Sequence, residues 1–163
     1  MKLPEPQTHL VAPRADVAAF ERLTQALVGI TVQSLDALDG AVTVAQFRLL
    51  RTLDGLGRVS STTLATALGT AASSVTRLVD KLEAAGFVQR GADAHSRTIV
   101  TLEVTEAGRD VVAAVLARRH ALLEQVLDAM GPEERDRAAT AAGNFVLLSG
   151  DAVVAGARGP VAL

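Results

Sequence analysis

The chain has 163 residues, 49% of them apolar and 21% charged, the material of one ordinary globular domain. It has no Cys, which excludes disulfides, thiolate zinc sites, thiol nucleophiles and cysteine-based redox sensing; with no Trp or Tyr and only four Phe, it also lacks the aromatic platforms that stack single-stranded nucleic acid. The formal net charge of −2 gives no global attraction to a polyanion, so a nucleic-acid reader built from this chain must segregate its charges by region.

The opening residues, MKLPEPQTHLVAPRAD, contain no apolar h-region, and no apolar run in the chain approaches the roughly 18 uncharged residues of a bilayer span. The expectation is a cytoplasmic protein without membrane contact. From Asp16 to Leu38, Val17, Phe20, Leu23, Leu27 and Ile30 fall at three- and four-residue steps, predicting a long first helix. Thr43 to Leu53 predicts a second helix with Val44, Phe47, Leu50 and Leu53 inward, closed by Asp54-Gly55-Leu56-Gly57. After Gly86, FVQRGADAHSRTIVTLEV has β-branched runs on both sides of a polar centre, the pattern of a two-stranded ribbon.

Thr105 to Met130 carries two apolar stripes, one of Val112, Leu116, Leu123 and Leu127, the other of Val111, Val115, Leu122 and Val126. A helix apolar on two sides needs two neighbours. Pro132 with Glu133 and Glu134 opens another helix, in which Ala138, Ala142, Phe145 and Val146 share a face; the small-residue tail after Gly150 is expected to fray. The terminal helices thus carry more apolar surface than one chain is expected to bury.

The central stretch SSTTLATALGTAASSVTRLVDKLEAAG has helix-turn-helix grammar. Leu64 and Leu68 lie four apart, and the small Ala65 lets two helices cross closely. Gly69 supplies a positive φ for the sharp turn, Thr70 is placed to cap the next helix, and Val75 and Leu78 pin that helix to the first. Its exposed tip then presents Ala71, Ala72, Ser73, Ser74, Thr76 and Arg77, short hydroxyls and one guanidinium suited to a major groove. Lys81 sits one turn on, positioned for phosphate, and the ribbon tip offers His95, Ser96 and Arg97. A helix-turn-helix followed at once by a ribbon is a winged helix.

Through TVAQFRLLRTLDGLG, LATALGTAASSVTRLVDKLEAAGFVQR and DAHSRTIVTLEVTEAG, the stretch from Val42 to Gly108 resembles the MarR family of winged-helix transcription regulators. The resemblance implies a mainly α fold with a small β-hairpin: one domain over residues 1–163, with a winged helix-turn-helix DNA-binding region at 42–105 flanked by dimerisation helices at 15–40 and 105–155. It further implies a homodimer on a pseudo-palindromic double-stranded operator, usually a repressor, often with a small ligand bound between the two regions. The recognition positions fall on Ser73, Ser74, Thr76 and Arg77, and the wing arginine on Arg97. Two departures stand out. The wing reads Ser96-Arg97-Thr98 where the family usually has Asp-Arg-Arg, and Ala71-Ala72 replaces the frequent Ser and Pro at the helix start.

From Val42 to Gly108 seven cations face six anions, so the electrostatic margin is small, and the expected DNA contacts are Ser73, Ser74, Thr76, Arg77, Lys81, Arg90, His95 and Arg97. In the fifth helix Arg118, Arg119 and His120 either form a solvated face or, with Phe47 and Arg51, attract a small anionic or aromatic effector. Asp93, His95 and Ser96 supply the letters of a hydrolase triad, but neighbours in a hairpin hold no fixed register and no oxyanion loop accompanies them, so no enzyme is expected. His120 and Glu124 read as a surface pair, and no metal or cofactor is expected. The competing reading is a winged helix that binds another protein instead of DNA; that face would expose apolar anchors where this chain has Ser73 to Arg77.

Overall fold

The computed structural model describes residues 14–36, 40–92 and 100–156, with side chains to residue 149. Nine elements follow in order: α1 (Ala15–Asp36), α2 (Val44–Leu56), β1 (Val59–Ser60), α3 (Ser61–Leu68), α4 (Ala72–Ala84), β2 (Val88–Ala92), β3 (Val100–Val104), α5 (Glu106–Asp128) and α6 (Pro132–Gly156). The chain is mainly helical with a small antiparallel sheet, as its apolar spacing predicts.

One core serves the central elements. Leu49, Leu50 and Leu53 of α2, Leu64 of α3, Val75 and Leu82 of α4, Leu102 of β3 and Val115 of α5 are all completely buried. Their spacing explains the helices: each buries a stripe at three- and four-residue steps and leaves the other face polar. Val44 departs from the expected inward set and stays exposed, while Leu49 takes its place in the core. Val44 is the first residue of its helix, beside the capping box in which Thr43 Oγ1 accepts from the Gln46 N–H and Gln46 Oε1 accepts from the Thr43 N–H. The helix also runs through Asp54-Gly55 to Leu56 before Gly57 stops it.

The sheet has three strands in the order β1-β3-β2, where the sequence predicts two. Val59 pairs with Leu102 and Ser60 with Thr101, adding a short outer strand; Val88 opposite Val104 and Ala92 opposite Val100 form the expected ribbon. Arg58, just before β1, donates from Nε and Nη2 to Glu103 Oε2 at 3.1 and 2.7 Å, and Gln89 Nε2 reaches the same oxygen at 3.3 Å. The Arg58 hydrogen bond, then that of Gln89, holds the Glu103 carboxyl below the usual carboxylate range. One carboxylate thereby ties the lead into β1 to both ribbon strands.

α5 runs behind the winged region and against α1, burying Val111, Val112, Val115 and Leu122. Thr105 caps it, accepting from the Gly108 N–H at 3.1 Å while its own hydroxyl donates to the Gly86 carbonyl at 2.7 Å. α6 follows a turn in which Arg135 Nε donates to the Leu127 carbonyl at 3.1 Å, and its backbone stays helical to Gly156, six residues into the tail expected to fray. Its Phe145 ring stacks on Phe20 of α1 with centroids 4.8 Å apart. Around that stack the outer faces stay uncovered: Val17, Phe20, Leu23 and Leu27 on α1 are 40–52% exposed, and Val146, Leu147 and Leu148 on α6 reach 67–85%. Among the described residues no helix is long and apolar enough to cross a membrane.

Candidate nucleic-acid interface

The interface is built on the α3–α4 crossing. Ser60 caps α3 by accepting from the Thr63 N–H, and Ala65, 6% exposed, sits in the crossing where a larger side chain would push the helices apart. Gly69 ends α3 in the left-handed conformation at φ 63° and ψ 33°, a region that costs residues with a Cβ. The Gly69 N–H donates to the Thr66 carbonyl and the Thr70 N–H to the Ala65 carbonyl, both at 3.1 Å. Arg48 of α2 then places Nη2 3.1 Å from the Leu68 carbonyl, a cation at the C-terminal end of α3 where the helix dipole is negative. Sequence reasoning assigns Arg48 no role; the signal it leaves is a cation beside Phe47 and Leu49, two buried residues of the same helix.

Thr70 is not the cap of α4. That position belongs to Ala71, in extended conformation at φ −68° and ψ 142° with no side-chain hydrogen bond, because the turn after Gly69 is one residue longer than expected. Val75, Val79 and Leu82 are buried and Leu78 is half-buried, which points the opposite face of α4 to solvent. On that face Ala72, Ser73, Thr76, Arg77, Asp80 and Lys81 are exposed, whereas Ser74 is half-buried at its edge. Thr76 Oγ1 donates to the Ala72 carbonyl at 3.0 Å.

Arg90 behaves differently from its neighbours in the expected contact set. From β2 it reaches back to α4, placing Nη2 2.5 Å from Asp80 Oδ1 and pairing Nη1 with Glu83. The Asp80 hydrogen bond, and beyond it the charges of Glu83 and Asp80, raise the Arg90 pKa against an opposing desolvation cost. A guanidinium engaged by two carboxylates is no longer an independent phosphate donor. Its effect is to offset one of the two negative charges that Asp80 and Glu83 place on α4, and to tie β2 to that helix. The wing-tip residues Asp93, His95, Ser96 and Arg97 lie outside the described residues.

The four residues expected to meet an effector separate into two pairs. Phe47 is buried at the base of α2, with the Arg119 guanidinium carbon 5.2 Å from its ring centroid. Arg119 Nη2 also lies 3.4 Å from Oγ of Ser34, a fully buried hydroxyl on α1, while its Nε is buried without a hydrogen-bond partner. Arg51 and Arg118 are exposed. Consecutive residues point about 100° apart on a helix, so Arg118 and Arg119 cannot share a direction. Ser34 joins α1 to this junction and is a member that spacing alone does not reveal.

Comparison with known proteins agrees with this architecture. The sequence profile of the MarR family matches residues 42–100, from the start of α2 to the last strand. The crystal structure of RV1404 from Mycobacterium tuberculosis superimposes with a TM-score of 0.77 at 32% identity, over 83% of this chain and 94% of that one. Among curated proteins, the uncharacterized HTH-type transcriptional regulator YfiV of Bacillus subtilis (strain 168) is 28% identical over 94 residues, 58% of this chain and 59% of its own length. The transcriptional repressor MprA of Escherichia coli (strain K12) is 32% identical over 74 residues, 45% of this chain and 42% of its own. The chain thus spans about half the length of the curated relatives it matches. With the helix-turn-helix crossing, the adjoining ribbon and both flanking helical regions in place, this chain belongs to the MarR family.

Proposed function

We propose that this protein is a cytoplasmic, homodimeric, sequence-specific regulator of transcription that binds a pseudo-palindromic double-stranded operator, acts as a repressor and performs no catalysis. The observation that carries the reading is the exposed face of α4, where Ser73, Thr76, Arg77 and Lys81 stand on a helix held from behind by Val75, Val79 and Leu82. A polar tip on a rigidly packed helix suits base edges and phosphates. The name of MprA, a transcriptional repressor, supports the direction of regulation. His95 and Arg97, assigned from the sequence, extend the set to the backbone beside the groove.

The test is an anisotropy titration of the full-length protein on the DNA upstream of its own gene, at several salt concentrations. Arg77→Ala is expected to weaken binding by about 1 to 3 kcal/mol, the worth of a guanidinium reading a base. Each neutralised phosphate adds about 0.9 to the salt slope, so affinity falls steeply between low and physiological salt. Binding indifferent to salt and to Arg77→Ala would sink the assignment.

Release of the operator by a small anionic or aromatic effector is the second part of the proposal. The support is Arg119, a half-buried cation over Phe47 with one unpartnered nitrogen and no carboxylate in ion-pair range among the described residues. A phenolic acid is expected to weaken operator binding by the wild type. Arg119→Ala should blunt that response, while Arg118→Ala, changing an exposed residue, leaves it unchanged. An undiminished response in Arg119→Ala, read in the same titration, removes the junction from the effector site.

A further inference from the structure

Resting on the DNA-binding role just proposed, we infer that the recognition helix reads thymine through its methyl group, using a methyl ridge formed by Ala72 and Thr76. These residues lie four apart on α4 and are both exposed, so they are neighbours on the helix surface. The Thr76 hydroxyl has one proton, and that proton is donated to the Ala72 carbonyl at 3.0 Å. Thr76 therefore has no donor left for N7 or O6 of guanine, N7 of adenine or O4 of thymine. What it still presents to a base is its methyl group and the lone pairs of the bonded oxygen.

The choice between these two is decided by the neighbour. One turn earlier Ala72 contributes a methyl and nothing else. A strip of methyl groups expels water when it meets another apolar group, and the C5-methyl of thymine is the apolar group that the major groove offers. A lone acceptor oxygen beside two methyls would find its donor on cytosine or adenine poorly supported. The polar residues flank the strip: Ser73 follows Ala72 and Arg77 follows Thr76, which places guanine readout by the guanidinium next to thymine readout by the ridge. The half-site accordingly contains thymine beside guanine.

The test uses the full-length protein and a duplex that it selects from a random-sequence library. Each thymine of the selected half-site is replaced in turn by deoxyuridine, which removes the methyl alone, and binding is measured for wild type, Thr76→Val and Thr76→Ser. Wild type is expected to lose about threefold to fivefold at one thymine, the worth of one buried methyl group. Thr76→Val, which keeps the methyl and discards the hydroxyl, should still lose about threefold to fivefold when that thymine becomes deoxyuridine. Thr76→Ser should lose about the same threefold to fivefold on the thymine duplex and be insensitive to deoxyuridine at that position. The inference is overturned if Thr76→Val loses binding while Thr76→Ser keeps it, since the hydroxyl is then the reader, or if no thymine responds to loss of its methyl. Failure of the wild type to retain any duplex is a different result: it removes the DNA-binding role itself, and this inference with it.

Discussion

Gly108→Ala is expected to lower the stability of the protein by about 3 kcal/mol, although helix propensity alone favours Ala over Gly by about 1 kcal/mol. Gly108 lies in the first turn of α5, and a Cβ built there meets the Phe87 carbonyl oxygen at 2.2 Å, the Phe87 carbonyl carbon at 3.1 Å and Val104 Cγ1 at 2.7 Å. The obstacle is backbone, which cannot step aside as the far end of a side chain can. It is also backbone in use: the Phe87 carbonyl accepts from the Thr105 N–H at 3.1 Å, and Arg109 Nη1 donates to the Val104 carbonyl at 2.9 Å. Making room means breaking the stitch that joins the entry to β2, the exit from β3 and the start of α5. For a chain of this length the loss corresponds to a fall in Tm of roughly 10 °C, measurable by thermal circular dichroism. Gly55→Ala provides the contrast, because nothing lies within 4 Å of a Cβ there. That change should raise stability by roughly 0.5 to 1 kcal/mol. A Gly108→Ala protein as stable as the wild type would show that the junction is looser than this packing requires.

The stitch holds the entry to β2, the exit from β3 and the start of α5 in one arrangement. In the homodimer proposed above, that arrangement is expected to set the separation of the two recognition helices. Half-site spacing on DNA is then a property of the junction as much as of α4.

The helices and the helix-turn-helix crossing were legible in the chain because apolar residues at three- and four-residue steps and a small-residue-to-Gly spacing are local signals. β1 was not: two residues are too few to show an alternation, and Val59 and Ser60 become a strand only because Leu102 and Thr101 arrive beside them. Thr70 looked like a cap because hydroxyls favour that position, yet the backbone after Gly69 places Ala71 there. Within the candidate interface, the exposure of Ser73, Thr76, Arg77 and Lys81 follows from the apolar face that Val75 and Leu78 mark, although Val79 is buried deeper than Leu78 and Ser74 is half-buried. The engagement of Arg90 did not, since strand register and the position of Asp80 and Glu83 across space decide it. Arg118 and Arg119 are equivalent as text; one step of helical rotation turns the second toward Phe47 and leaves the first in water.

Leu23→Asp is expected to turn a dimer into a monomer and to reduce operator affinity on the order of 100-fold. Val17, Phe20, Leu23 and Leu27 are spaced to form one stripe of α1 and remain 40–52% exposed, and the Val146-Leu147-Leu148 run of α6 lies beyond the Phe20–Phe145 stack at 67–85% exposure. Soluble monomers rarely leave a contiguous apolar surface of this kind in water. A second copy is the occupant that the proposed function requires, since two recognition helices need a fixed separation. An Asp placed in that contact is an uncompensated buried charge, a penalty of about 3 to 5 kcal/mol, and two-fold symmetry introduces it twice. The separated chains keep an intact winged region, because the core around Leu50, Leu64, Val75 and Leu102 does not involve the outer face of α1. Each therefore binds one half-site with its intrinsic affinity and loses the gain from simultaneous engagement. Sedimentation velocity at micromolar protein, run beside the anisotropy titration, separates the two effects. A wild type that sediments as a monomer, or a Leu23→Asp protein that remains dimeric with unaltered affinity, would place the subunit contact on another surface.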